Sequence, residues 1–128
     1  MRLNHAELYV SDVPRSSRFY EGVLNAAVVE EHETRAVLQL DMETTLTLRR
    51  MPPDMVSPFN EGIRLCFECD HLEDECRRLS RAGVELISRP RGTEEGRQEV
   101  VIQDPDGHQV CLYRSGVPVE DESLFSFG

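Results

Sequence analysis

RLCFECDHLEDECRRLSRAGVEL, Arg64 to Leu86, starts with an alternation and ends with a helical period. Leu65, Phe67 and Cys69 fall on one side of an extended chain, and Arg64, Cys66 and Glu68 on the other. From Asp70 or His71 onward the apolar positions are Leu72, Cys76, Leu79 and Ala82, the spacing of one helix face. Gly83 supplies the left-handed residue on which helices end. The head of the chain has the same order. Arg2 to Val10 alternates, with Leu3, Ala6, Leu8 and Val10 opposite His5, Glu7 and Tyr9. Ser11 and Asp12 are capping residues, and Pro14 suits a first helical turn. Val13, Ser16, Phe19, Tyr20, Val23 and Leu24 then recur at helical spacing until Asn25, a stop. Laying Arg64 on His5 places Leu72 on Val13 and Leu79 on Tyr20.

This is an internal duplication, and it decides the architecture. Three strands are predicted after each helix: Ala27 to Glu31, Arg35 to Leu40 and Thr44 to Arg49, then Glu85 to Ser88, Glu99 to Gln103 and His108 to Arg114. Arg89 to Arg97 (RPRGTEEGR) reads as a polar loop. In QDPDGHQVCLY, Gln103 to Tyr113, Asp104-Pro105-Asp106-Gly107 is the turn of a hairpin. After it His108, Val110 and Leu112 face one way, and Gln109, Cys111 and Tyr113 the other. The expected fold is α+β: two paired βαβββ modules forming a curved mixed sheet, helices outside, with an open polar cleft inside as the ligand site. Module one covers about 2–50, a proline-rich linker 51–60 (MPPDMVSPFN), module two about 61–114, and a tail 115–128. The tail has no period, and its Leu124, Phe125 and Phe127 suit docking on a partner or on the body.

With 128 residues the chain is expected to be one domain with a real core. No apolar run approaches a membrane span, and MRLNHAELYV reads as a strand rather than a signal peptide. Four cysteines (Cys66, Cys69, Cys76 and Cys111) without a secretory context are expected to be reduced thiols, in a cytoplasmic protein. A net charge of -10 argues against nucleic acid and anionic membranes as partners.

The stretches LNHAELYVSDVPRSSRFYEGVLN, RLCFECDHLEDECRRLSRAGVEL and EVVIQDPDGHQVCLY resemble the vicinal oxygen chelate superfamily. It contains glyoxalase I, the bleomycin- and fosfomycin-resistance proteins, extradiol dioxygenases and methylmalonyl-CoA epimerase. The likeness runs over about residues 2 to 114. It is specific for the fold but not for a reaction. Metal-using members place four ligands in the cleft, on the first and last strand of each half. By that pattern the first position is His5, a match. The second falls near Thr47, where Glu, Gln or His is wanted, and Thr45 is no better. The third is Arg64, where His is wanted, and the fourth Cys111, where Glu is wanted. The resemblance also implies a homodimer.

The departures have physical content. A guanidinium is always protonated and has no lone pair to give a cation. Arg64 therefore replaces a metal, pairing with Glu7 or Glu68 or binding a ligand's anionic group, or it forms a structural ion pair. His5 is a ligand, an acid or base, or a histidine hydrogen-bonded to Glu7 or water. Cys111 is a ligand, a nucleophile, or a small apolar filler. Cys66 and Cys69 lie in a strand three residues apart, so their sulfurs point to opposite faces and cannot share a metal. His32 and His108 lie in or beside turns and are expected in solvent. His71 starts a helix.

The expected function is small-molecule binding or sequestration of the bleomycin-resistance type, with no cofactor, through His5, Glu7, Thr47, Arg64, Glu68 and Cys111. Tyr9 and Tyr113 are further candidates for that surface. The competing expectation is a lyase, isomerase or dioxygenase using a divalent metal (zinc, nickel, manganese or iron) on a substrate with two adjacent oxygens. Its ligands would be His5 and Cys111 with Glu7 or Glu68. A third reading is a regulatory module whose tail mediates association.

Overall fold

A computed structural model describes residues 1–54, 63–94 and 96–116. They fall into two compact units. The first contains β1 (His5–Val10), α1 (Val13–Leu24), β2 (Ala27–His32), β3 (Arg35–Gln39) and β4 (Thr45–Arg50), and Asp104–Asp106 group with it. The second contains β5 (Arg64–Glu68), α2 (Leu72–Arg81), β6 (Arg91–Gly92), β7 (Arg97–Gln103) and β8 (Gln109–Ser115). Each is a βαβββ module with a four-stranded mixed sheet, ordered β1-β4-β3-β2 in one and β5-β8-β7-β6 in the other. In both, the first strand lies parallel to the last and the other pairs are antiparallel. The duplication read from the sequence is thus an architectural repeat. The segment 55–60 of the linker and the apolar tail residues Leu124, Phe125 and Phe127 lie outside the described residues.

Both helices begin and end where their local chemistry directs. Asp12 caps α1, its Oδ1 accepting from the Arg15 N–H at 3.1 Å, and Asn25 closes it in the left-handed conformation. Helix α2 carries Glu73, Asp74 and Glu75 in its first turn and Arg78 and Arg81 in its last, complementing the helix dipole. It ends in a Schellman turn: Gly83 donates to the Ser80 carbonyl and Val84 to the Leu79 carbonyl. Gly83 has φ 83° there, which a side chain would strain. Ala82, expected on the buried face, is the exposed cap residue instead.

Helix α1 covers one face of its sheet, burying Val13, Tyr20 and Val23 with Val10, Ala36, Leu38, Leu46 and Leu48. Helix α2 packs against β8, and Leu72, Cys76, Leu79, Val100, Ile102, Val110 and Leu112 are buried in that unit. The period-2 rule leaves alternate strand residues on the opposite face of each sheet.

Two expectations need correction. Glu85 to Ser88 is not a strand. It touches β7 by one bridge, Leu86 to Ile102, and the polar loop holds the short strand β6 instead. Ser88 explains the interruption, because its Oγ takes the Val101 N–H that a ladder would use. Pro90 brings no N–H to resume it. Pairing restarts at Arg91 and Gly92, opposite Glu99 and Gln98. His108 is not in solvent but 5% exposed, because it precedes Val110 and Leu112 in the inward alternation.

The Asp-Pro-Asp-Gly turn is built on side-chain hydrogen bonds. Asp104 Oδ1 accepts from the Asp106 N–H at 2.9 Å, and Gly107 sits at φ 87°. The other Asp104 oxygen accepts from the Tyr20 hydroxyl at 2.7 Å, and Asp106 Oδ2 accepts from the Ser11 N–H at 3.1 Å.

Candidate functional site

In the first unit the sheet face away from α1 presents His5, Glu7 and Tyr9 from β1 beside Thr45, Thr47 and Arg49 from β4. Their register is direct: His5 lies opposite Thr45, Glu7 opposite Thr47, and Tyr9 opposite Arg49. His5 Nδ1 is 2.7 Å from Thr45 Oγ1, and its Nε2 is 3.5 Å from Glu7 Oε1. Arg49 Nε donates to the same Glu7 oxygen at 2.8 Å. The threonine touching His5 is therefore Thr45, not Thr47. Thr47 is fully buried, and its hydroxyl finds no hydrogen-bond partner among the described residues.

The Arg49 hydrogen bond holds Glu7 below the ordinary carboxyl value of 4.5, against the opposing effect of burial and with help from His5. A depressed carboxyl contributes stability above the unfolded value and loses it as pH falls through the folded one. Wild type should therefore melt above a Glu7→Gln variant at neutral pH, with the gap closing below pH 4.5. The gap should be small, because Arg49 and Glu7 are 40% and 41% exposed. Melting curves whose separation stays constant from pH 7 to about pH 3 would contradict this role.

In the second unit the corresponding face carries Arg64, Cys66 and Glu68 from β5, Cys111 and Tyr113 from β8, and Arg97 and Glu99 from β7. Its centre is Glu99, which the sequence reading did not single out. The Glu99 side chain is only 5% exposed. Arg64 approaches it end-on, its two terminal nitrogens donating to the two carboxylate oxygens at 3.4 and 3.3 Å. Cys111 donates its thiol to Glu99 Oε2 at 3.4 Å. The one clue in the sequence was the alternation of Glu99, Val101 and Gln103, which sets this carboxylate on the Cys111 face. The carboxylates first considered for Arg64 have other partners: Glu7 has Arg49 and His5, and Glu68 accepts from the Ser115 hydroxyl at 3.1 Å. Arg97 stacks on the Tyr113 ring, its guanidinium carbon 3.9 Å from the centroid.

Burial, then Cys66 and then Glu99 push the Cys111 thiol up to about 12. It is protonated at neutral pH and serves as a donor. Burial lowers the Arg64 value, but Cys111, Glu99 and Cys66 outweigh it, leaving the guanidinium above its ordinary range. Cys69 lies on the other side of β5 from Cys66, its sulfur against the Tyr113 carbonyl at 3.6 Å, as the strand spacing required.

The superfamily pattern implies a divalent metal held by one residue from each of four strands. The donor set at those positions does not fit one. His5 is engaged by Thr45 and Glu7. Thr47 offers a neutral hydroxyl, and Arg64 has no lone pair and carries a positive charge. Cys111 stands where the pattern wants Glu, and its thiol is directed at Glu99. Among the described residues no three His, Cys, Asp or Glu side chains come together as a ligand group.

Two βαβββ modules, each a mixed sheet with a helix on one face and ionisable side chains on the other, define a duplicated α+β fold. The chain belongs to the glyoxalase/bleomycin resistance protein/dioxygenase superfamily, whose family model matches residues 2–112. It is 28% identical over 116 residues to a virulence protein of Salmonella typhimurium strain LT2, covering 85% of this chain and 81% of that one. The crystal structure of that virulence protein superposes with a TM-score of 0.71 at 26% identity, covering 91% of this chain and 98% of the other. A conserved domain protein aligns with a TM-score of 0.78 at 23% identity, covering 91% of this chain and all of that one. Lactoylglutathione lyase of Agrobacterium tumefaciens aligns at 0.72 and 18% identity, covering 88% and 92%. The last two likenesses speak to the fold alone. No helix among the described residues is long and apolar enough to cross a membrane.

Proposed function

We propose that this protein binds a small molecule carrying both anionic and cationic groups, without a metal and without converting it. The observation behind this reading is Arg64, at a metal position of the family pattern, anchored by Glu99 yet 39% exposed. An anchored guanidinium with an open side suits a ligand carboxylate or phosphonate. Glu68, exposed on the same strand, suits a ligand cation. His5, Glu7 and Thr47 form the polar face of the first unit and belong to the same proposal, as do Cys111 and a homodimeric, cytoplasmic protein. Family membership supports the reading, because the superfamily name includes resistance proteins beside lyases and dioxygenases.

Two measurements test it together. Elemental analysis of tag-free protein, dialysed against mixed divalent metals, should find less than about a tenth of an equivalent of any of them. Thermal shift against a panel of ampholytic small molecules should find a binder. At 100 times its dissociation constant, such a ligand stabilises by about 2.7 kcal/mol, or roughly 10 °C for a domain of this size. Near one equivalent of metal, lost on His5→Ala, would overturn the proposal in favour of metal-dependent chemistry.

A further inference from the structure

Cys66 and Cys111 are direct partners in the parallel ladder between β5 and β8. Both side chains leave the same face of the sheet, the one that carries Arg64 and Glu99. Paired strands lie about 4.8 Å apart, inside the Cα separation of about 4.4–6.8 Å that a disulfide spans. Their Cβ atoms must close by about 1 Å to reach disulfide geometry. In its four-stranded sheet β5 is the outer strand, with β8 as its partner on one side.

The two sulfurs differ in the way that stepwise oxidation requires. Cys66 is exposed and Cys111 is buried. A peroxide in solution therefore meets the Cys66 sulfur before that of Cys111. Arg64 reaches Glu99 beside the Cys111 thiol, and Arg97 projects from β7 on the same face of the sheet. The other two cysteines have a mixture of charges around them, Arg114 with Glu75 and Asp70 near Cys69 and Arg77 with Glu75 near Cys76. Burial, then Glu75 and Asp70, push Cys69 up to about 11; burial, then Cys69 and Glu75, do the same for Cys76.

We propose that Cys66 and Cys111 are a peroxide-oxidisable dithiol that closes to a cross-strand disulfide on the polar face of the second unit. The Cys66 thiolate attacks one oxygen of a hydroperoxide. The O–O bond breaks, the leaving oxygen takes a proton, and Cys66 becomes a sulfenic acid. The Cys111 sulfur then attacks the Cys66 sulfur. The S–O bond breaks, and the Cys111 proton passes through Glu99, 3.4 Å away, to the departing hydroxide. Two thiols and hydrogen peroxide give one disulfide and two waters, the sulfurs losing two electrons and the peroxide oxygens gaining them. The closed bond removes the Cys111 hydrogen bond to Glu99.

The test is to treat the reduced full chain with stoichiometric hydrogen peroxide and record its intact mass, followed by non-reducing peptide mapping. A monomer lighter by about 2 Da, with the peptides of Cys66 and Cys111 joined, is expected. Cys111→Ser should stop at an oxidised Cys66, heavier by about 16 or 32 Da, and Cys66→Ser should leave Cys111 unmodified. Wild-type mapping carries the test even if a variant folds poorly. A bond joining Cys69 to Cys76, a disulfide between chains, or no mass loss would overturn the proposal.

Discussion

Tyr20→Ala is expected to destabilise the protein by about 4 kcal/mol, and Tyr20→Phe by about 2 kcal/mol. Tyr20 is completely buried in the first unit, against the residues of α1 and its sheet. Its ring packs edge-on against Phe19, with centroids 5.1 Å apart. The alanine variant loses that packing and leaves a cavity. Both variants leave Asp104, 5% exposed, without its 2.7 Å hydroxyl donor. A hydrogen bond to a charged group is worth about 1.5–3 kcal/mol, so the phenylalanine variant isolates that part. Burial, then Asp104, raise the phenol above its ordinary value of 10.0. The sign follows from proton uptake: above pH 10 the folded state retains a proton that the unfolded chain gives up, so wild type loses stability as pH rises. Tyr20→Phe lacks this group, and the two urea midpoints should approach each other in alkali. Equal stability of wild type and Tyr20→Phe at neutral pH would sink the assignment.

Arg64→Met is expected to lower stability by about 1–2 kcal/mol at neutral pH, and Arg64→Met/Glu99→Gln to recover most of it. Breaking a fully buried ion pair costs about 3–5 kcal/mol, because one charge is left alone in a poor solvent. Glu99 meets that description at 5% exposure, but Arg64 at 39% does not, and water reaching the carboxylate reduces the loss. The glutamine removes the stranded charge and keeps an oxygen for the Cys111 thiol. Urea unfolding of the four proteins in the cycle measures the coupling. Additive losses would show that the 3.3–3.4 Å geometry carries no interaction energy. The double variant also separates folding from binding. If it is as stable as wild type but gives no thermal shift with ampholytes that stabilise wild type, Arg64 acts on the ligand.

Alternation in β1 and β5, the apolar periods of α1 and α2 (Ala82 apart), the Asp12 cap and the stops at Asn25 and Gly83 are short-range properties, and they appear in the structure. Matching those local patterns between the two halves was enough to give two βαβββ modules. The error at Glu85 to Ser88 arose where local signals were weak. Val-Glu-Leu-Ile-Ser has strand character, but Ser88 intercepts the ladder and Pro90 cannot extend it.

Of the candidate site, the residue types at His5, Arg64 and Cys111 were legible, and with them the departures of Arg64 and Cys111 from the family's ligand pattern. What each of them touches was not. Thr45 rather than Thr47 meets His5 because the register of a parallel pair joined through a helix and two strands is set by packing, not by neighbours in sequence. Glu99 meets Arg64 across 35 positions of chain, and Tyr20 meets Asp104 across 84. Local propensity and period act over a turn or a strand. Partnerships over such distances exist only after the sheets have formed and the core has chosen which face of each strand it buries. The sequence alone therefore determined the duplicated architecture and the chemistry present on its strands, while only the tertiary structure decided that a buried glutamate holds the arginine and that two cysteines stand side by side.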